Sequence, residues 1–85
     1  MPPMNKAAKL LDAMRANPRD WRIEHLLTIA DSIGLAVRNR RGSHHFFSSP
    51  LVEQALSVPA HKPIKPTYIK QFLALVDAVE KEKRQ

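Results

Sequence analysis

The chain has no cysteine. Neither a disulfide framework nor a thiolate metal site can hold it together, so stability falls to its hydrophobic core. It also lacks any apolar run close to the roughly 20 residues that a membrane-spanning helix needs. The opening Met1-Pro2-Pro3-Met4-Asn5-Lys6 has no apolar stretch of the secretory-signal kind. The cytoplasm is therefore the expected location. Carboxylates are missing where the chain is most cationic, with none between Asp31 and Glu53. Nowhere is there a compact Asp/Glu cluster of the sort that holds magnesium or manganese beside a phosphate. There is no internal repeat and no low-complexity tract.

What is present makes one small domain. Eighty-five residues leave no room for a second independent core, and a hydrophobic content of 44% is near the globular norm. A core of this size is marginal, and a stabilising partner subunit would suit it. The net charge of +6 and a pI near 10.2 favour a polyanionic partner, since binding phosphates releases their counterions.

Periodicity organises the rest. From Asn5 to about Ala16, Ala7, Leu10, Leu11 and Met14 follow helical spacing, with Asn5 as a cap and Asn17-Pro18 as a break. A second helix is predicted from Pro18 or Trp21 to Ile33. Asn17 would be its cap, Pro18 its first residue, and Asp20 a first-turn acid favoured by the helix dipole. Its buried stripe is Ile23, Leu26, Ala30 and Ile33, with Leu27 alongside, and Gly34 ends it. Trp21 is expected to pack and His25 to face solvent without a role.

The spacing then changes to period two. Leu35 to Arg40 and Ser43 to Ser48 read as strands joined tightly through Arg41-Gly42. A short third strand runs from Gln54 to Val58 and ends at Pro59. The proline-rich segment from Pro59 to Pro66 is expected to be an extended loop. Pro66 opens a last helix running to about Lys81, with Ile69, Phe72, Leu73, Val76 and Val79 facing inward and a tail expected to fray. The predicted class is α+β: helix, helix, three antiparallel strands, helix. The helices cover one sheet face and leave the other open.

Within that frame Gly42-Ser43-His44-His45-Phe46-Phe47 stands out. It holds two of the four histidines and two of the three phenylalanines, directly after Arg38, Arg40 and Arg41. Adjacent strand residues face opposite sides, so Ser43, His45 and Phe47 form one set and His44, Phe46 and Ser48 the other. Each set contains one histidine and one phenylalanine, and periodicity alone leaves open which set faces in. Because the two histidines point apart, they are poor partners for one ion. A zinc site using His44, His61 and a distant third ligand finds no support in the sequence.

Metal-free RNA cleavage has modest needs. A base takes the 2′-hydroxyl proton, an acid protonates the leaving oxygen, and cations stabilise the charged phosphorane. Histidine can serve as acid or base near neutrality, and arginine or lysine suits the electrostatic role. The plainer alternative is a histidine that packs in a strand, a Phe46 that is core rather than a stacking platform, and arginines that only solvate a sheet edge.

The combined pattern is more specific than its parts. Gly34, seven residues, Gly42-Ser43-His44-His45-Phe46-Phe47, then Ser57-Val58-Pro59-Ala60-His61 and Ile64-Lys65-Pro66-Thr67-Tyr68-Ile69 resembles the HicA family of bacterial toxins. The resemblance covers about two-thirds of the chain, from Trp21 to Val79. It implies a fold similar to the double-stranded-RNA-binding domain, α-β-β-β-α with both helices on one sheet face. Residues 18–85 would form that domain and 1–17 an N-terminal helical extension. It also implies an mRNA interferase, needing no cofactor, that acts on mRNA and is held inactive by a HicB-type antitoxin.

The family's essential histidine carries over to His44. The family aromatic three places later falls on Phe47 as a core position, which turns His45 inward and leaves His44 with Phe46 on the open face. Arg38, Arg40, Arg41, Phe46, Lys62 and Lys65 are the candidate RNA contacts, with Ser43 and His61 as auxiliary candidates. The chain departs from the family in its first 17 residues, in Leu35 where Trp or Phe is usual, and in Ser48-Ser49-Pro50, a stretch less basic than is usual there. For the first of these, three uses are open: packing on the domain, dimerisation, or contact with the antitoxin. Two further readings are a non-catalytic RNA-binding module and an interaction protein whose basic face meets an acidic partner.

Overall fold

A computed structural model describes residues 6–40, 42–60 and 62–84, with the backbone alone for Arg40. The elements are α1 (Lys6–Ala16), α2 (Ile23–Ile33), β1 (Ala36–Arg40), β2 (His44–Ser48), β3 (Leu56–Pro59) and α3 (Pro66–Lys83). The strands form one antiparallel sheet in the order β1-β2-β3. The described residues are thus α+β, with three helices and a three-stranded open sheet. α2 lies against β1, α3 against β3, and α1 against both helices.

The first helix joins the core rather than sitting beside it. Ala7 and Met14 are buried in the same cluster as residues of α2, the sheet and α3, and Leu10 and Leu11 pack on its edge. Arg15 adds a bidentate pair to Asp77 of α3 at 2.6 and 3.0 Å. Hydrogen bonding to that carboxylate holds the guanidinium above its ordinary range, against a smaller opposing effect of burial. Both partners are well exposed, so the pair is worth about 1 kcal/mol at most. Met14 matters more, being fully buried. Met14→Ala is expected to cost about 2–5 kcal/mol, read as a fall in the urea midpoint at unchanged slope. A loss well under 1 kcal/mol would mean that α1 is not part of the core. Asn5, the expected cap, lies outside the described residues.

The second helix starts later than expected, at Ile23. Asn17 does cap, but what it closes is a turn: its Oδ1 accepts from the Arg19 N–H at 3.1 Å. Asp20 follows in the left-handed region at φ +66°, which interrupts any helix through Pro18 and removes Asp20 from a first helical turn. The Trp21 carbonyl then accepts from the Ile64 N–H at 2.8 Å in an isolated antiparallel bridge. With its backbone committed to that long-range pairing, Trp21 cannot be helical.

Arg22 becomes the N-cap, and the helix is closed by His25. The His25 Nδ1 accepts from the Arg22 N–H at 3.1 Å, while the His25 N–H donates to the Arg22 carbonyl at 3.0 Å. The imidazole stands edge-on to Trp21, with ring centroids 5.0 Å apart. His25 is therefore a half-buried capping residue, not a solvent-facing one. The far end of α2 is as expected. Gly34 takes φ +81°, and the Leu35 N–H closes back on the Ala30 carbonyl at 2.9 Å.

The strands hold their expected order with shifted ends. β3 spans Leu56–Pro59, so it starts two residues later than expected and takes in Pro59 as its last residue. A proline is tolerated there because β3 is an edge and need not donate outward. The link from β1 to β2 turns at Gly42, whose φ of +69° suits glycine. α3 runs on to Lys83, past the expected end, and its ammonium hydrogen-bonds the Ile33 carbonyl at the end of α2. Ile69, Phe72, Val76 and Val79 are buried as the stripe requires, and Leu75 and Ile29 join them. Phe47 meets Phe72 edge-on at 5.3 Å, which ties the sheet to α3.

Candidate nucleic-acid interface

The question left open by periodicity is decided by Phe47. It is fully buried against α3, so the helix-facing set includes His45 and Phe47 of β2 with Leu56 and Val58 of β3 opposite them. The other face of β2 carries His44, Phe46 and Ser48. Register adds their neighbours, because residues directly opposite share a face. His44 lies between Arg40 and Pro59, and Phe46 between Arg38 and Ser57. Arg38 is also diagonal to His44, at a spacing of roughly 7–8 Å that a long side chain spans.

The two histidines have different surroundings. His44 is exposed, and its imidazole has no hydrogen-bond partner among the described residues. His45 is half-buried, with its Nδ1 shielded from solvent and unpaired among the described residues. Only His44 is presented to a molecule lying on the helix-free face. Phe46 beside it is half-buried and Arg38 exposed. A titratable ring, an aromatic and a guanidinium thus share one surface, which can exchange a proton, stack a base and meet a phosphate.

The remaining candidates are distributed otherwise. Ser43 is exposed just before β2, and its carbonyl accepts from the Ala60 N–H at 2.7 Å, tying the loop after β3 to the entrance of β2. Lys62 and Lys65 lie off the sheet face, along adjoining shallow grooves that also involve Arg19, Asp20, Arg22 and Pro63. Arg41 and His61 lie outside the described residues. Among the described residues no three His, Asp or Glu side chains come together as a metal site, and no helix is long and apolar enough to cross a membrane.

Sequence reasoning missed Arg19 and Arg22. Neither sits in a basic run, and only the bridge between Trp21 and Ile64 brings them to the two lysines. The chain matches no family model, no curated protein and no solved structure.

Proposed function

We propose that this protein is an endoribonuclease of the toxin type, an mRNA interferase governed by a HicB-type antitoxin. The observation that carries the reading is His44, exposed and without a hydrogen-bond partner among the described residues, on the helix-free sheet face beside Phe46 and Arg38. Within the proposal, α2-β1-β2-β3-α3 is a domain of the double-stranded-RNA-binding type, and α1 is an extension packed on its helices.

The chemistry is transesterification. The 2′-oxygen attacks the adjacent phosphorus as its proton leaves, the bond to the 5′-oxygen breaks, and that oxygen takes up a proton. The products are a 2′,3′-cyclic phosphate and a 5′-hydroxyl. His44 acts as general acid or base at one of the two proton transfers. Arg38 faces the phosphorane's negative charge, and Phe46 stacks a flanking base.

The purified protein is expected to cleave single-stranded RNA with EDTA present, leaving cyclic-phosphate ends. Loss of cleavage on chelation would overturn the metal-free chemistry. Retention of RNA without cleavage would make the chain a binding module, and no binding even at low salt would leave an acidic protein partner.

A further inference from the structure

The turn at 19–22 and the loop at 62–66 come from distant parts of the chain and are joined backbone to backbone at Trp21 and Ile64. Their junction is walled by Pro63, Ile64 and Pro66, and it gathers Arg19, Arg22, Lys62 and Lys65 around one carboxylate, Asp20. All four cations are exposed. None is in an ion pair, since the ion pair found among the described residues joins Arg15 to Asp77. Four unneutralised cations against one carboxylate make a cleft suited to a polyanion.

The cleft also lies close to His44 along the chain. Pro59 lies opposite His44 in the sheet, and Ala60 is held to Ser43. Lys62 is three residues on from Pro59, a reach of about 10 Å at full extension. A strand with its scissile phosphate at His44 can therefore reach the cleft within a few nucleotides. We infer that the 19–22 turn and the 62–66 loop form a second RNA-backbone site, which grips phosphates flanking the one cleaved. This rests on the nuclease reading and adds Arg19 and Arg22 to it as binding residues. Guanidiniums suit the task, because their fork of donors matches phosphate oxygens. The site would hold RNA without reading its sequence.

The test uses His44→Ala protein, so that a short labelled single-stranded RNA stays intact, and measures Kd against salt. Each phosphate contact to a single strand contributes about 0.7 to the slope of log K against log salt. Adding Arg19→Ala and Arg22→Ala should lower the slope by about 1.4 and raise Kd roughly 25-fold at about 0.1 M salt. Lys6→Ala with Lys9→Ala removes the same charge from the exposed side of α1 and should have a much smaller effect. Circular dichroism of each variant should match the parent.

An unchanged slope in the arginine variant would overturn the inference, as would an equal loss in the lysine variant, which would mean diffuse charge. Loss of binding to poly-glutamate but not to RNA would also overturn it and assign the cleft to an acidic protein. Cleavage by the wild-type chain is read in parallel. If it cleaves RNA and the arginine variant binds normally, only the cleft falls. If it neither binds nor cleaves RNA, the nuclease reading falls too.

Discussion

His44→Ala is expected to reduce RNA cleavage by about 10²–10⁴-fold, the usual worth of one positioned general acid or base. The thermal unfolding midpoint should hardly move, because the ring is exposed and makes no hydrogen bond among the described residues. Antitoxin binding and RNA binding should survive, since Arg38, Phe46 and the basic groove are untouched. The combination is what separates a catalytic role from a packing one. A variant that cleaves at the original rate would remove His44 from the mechanism. One that loses cleavage only because it has unfolded would show the same loss in circular dichroism, and His45→Ala gives the comparison on the opposite sheet face.

Phe47→Ala should do the reverse. The ring is fully buried and packs edge-on to Phe72, so its removal is expected to cost about 3–5 kcal/mol. At roughly 0.05–0.15 kcal/mol per residue, the whole domain has only on the order of 4–13 kcal/mol to lose. The variant should unfold at a much lower urea concentration, and a sizeable fraction should be unfolded at 37 °C or below. Urea titration followed by far-ultraviolet circular dichroism measures the loss. A cost below about 1 kcal/mol would put Phe47 outside the core. By strand parity that would turn His44 toward the helices, so this stability measurement also tests the geometry of the proposed site.

Much of this architecture follows from local pattern. Met14 lies at helical spacing from Ala7, Gly34 ends α2 in the left-handed conformation, and Pro66 opens α3. Each depends on residues a turn or so away, which a sequence displays directly. α2 shows where local reading fails. Asn17-Pro18-Arg19-Asp20 has the composition of a helix start, yet the pairing of Trp21 with Ile64 draws the backbone out and moves the start to Ile23. The capping role of His25 depends on that displaced start, and so it was not legible either.

The candidate site divides along the same line. Local pattern alone put a histidine pair and two aromatics on one strand and Arg38 and Arg40 on the next, and made the two histidines face opposite ways. It could not say which faces the helices, because each set holds one histidine and one phenylalanine. Tertiary packing decided that when Phe47 met Phe72, which left His44 outside with Arg38 and Phe46. The position of Lys62 and Lys65 beside Arg19 and Arg22 was likewise a tertiary outcome. The physical reason is common to both: strand alternation and helical spacing are short-range properties, whereas the face that becomes core and the loops that meet depend on contacts between distant parts of the chain.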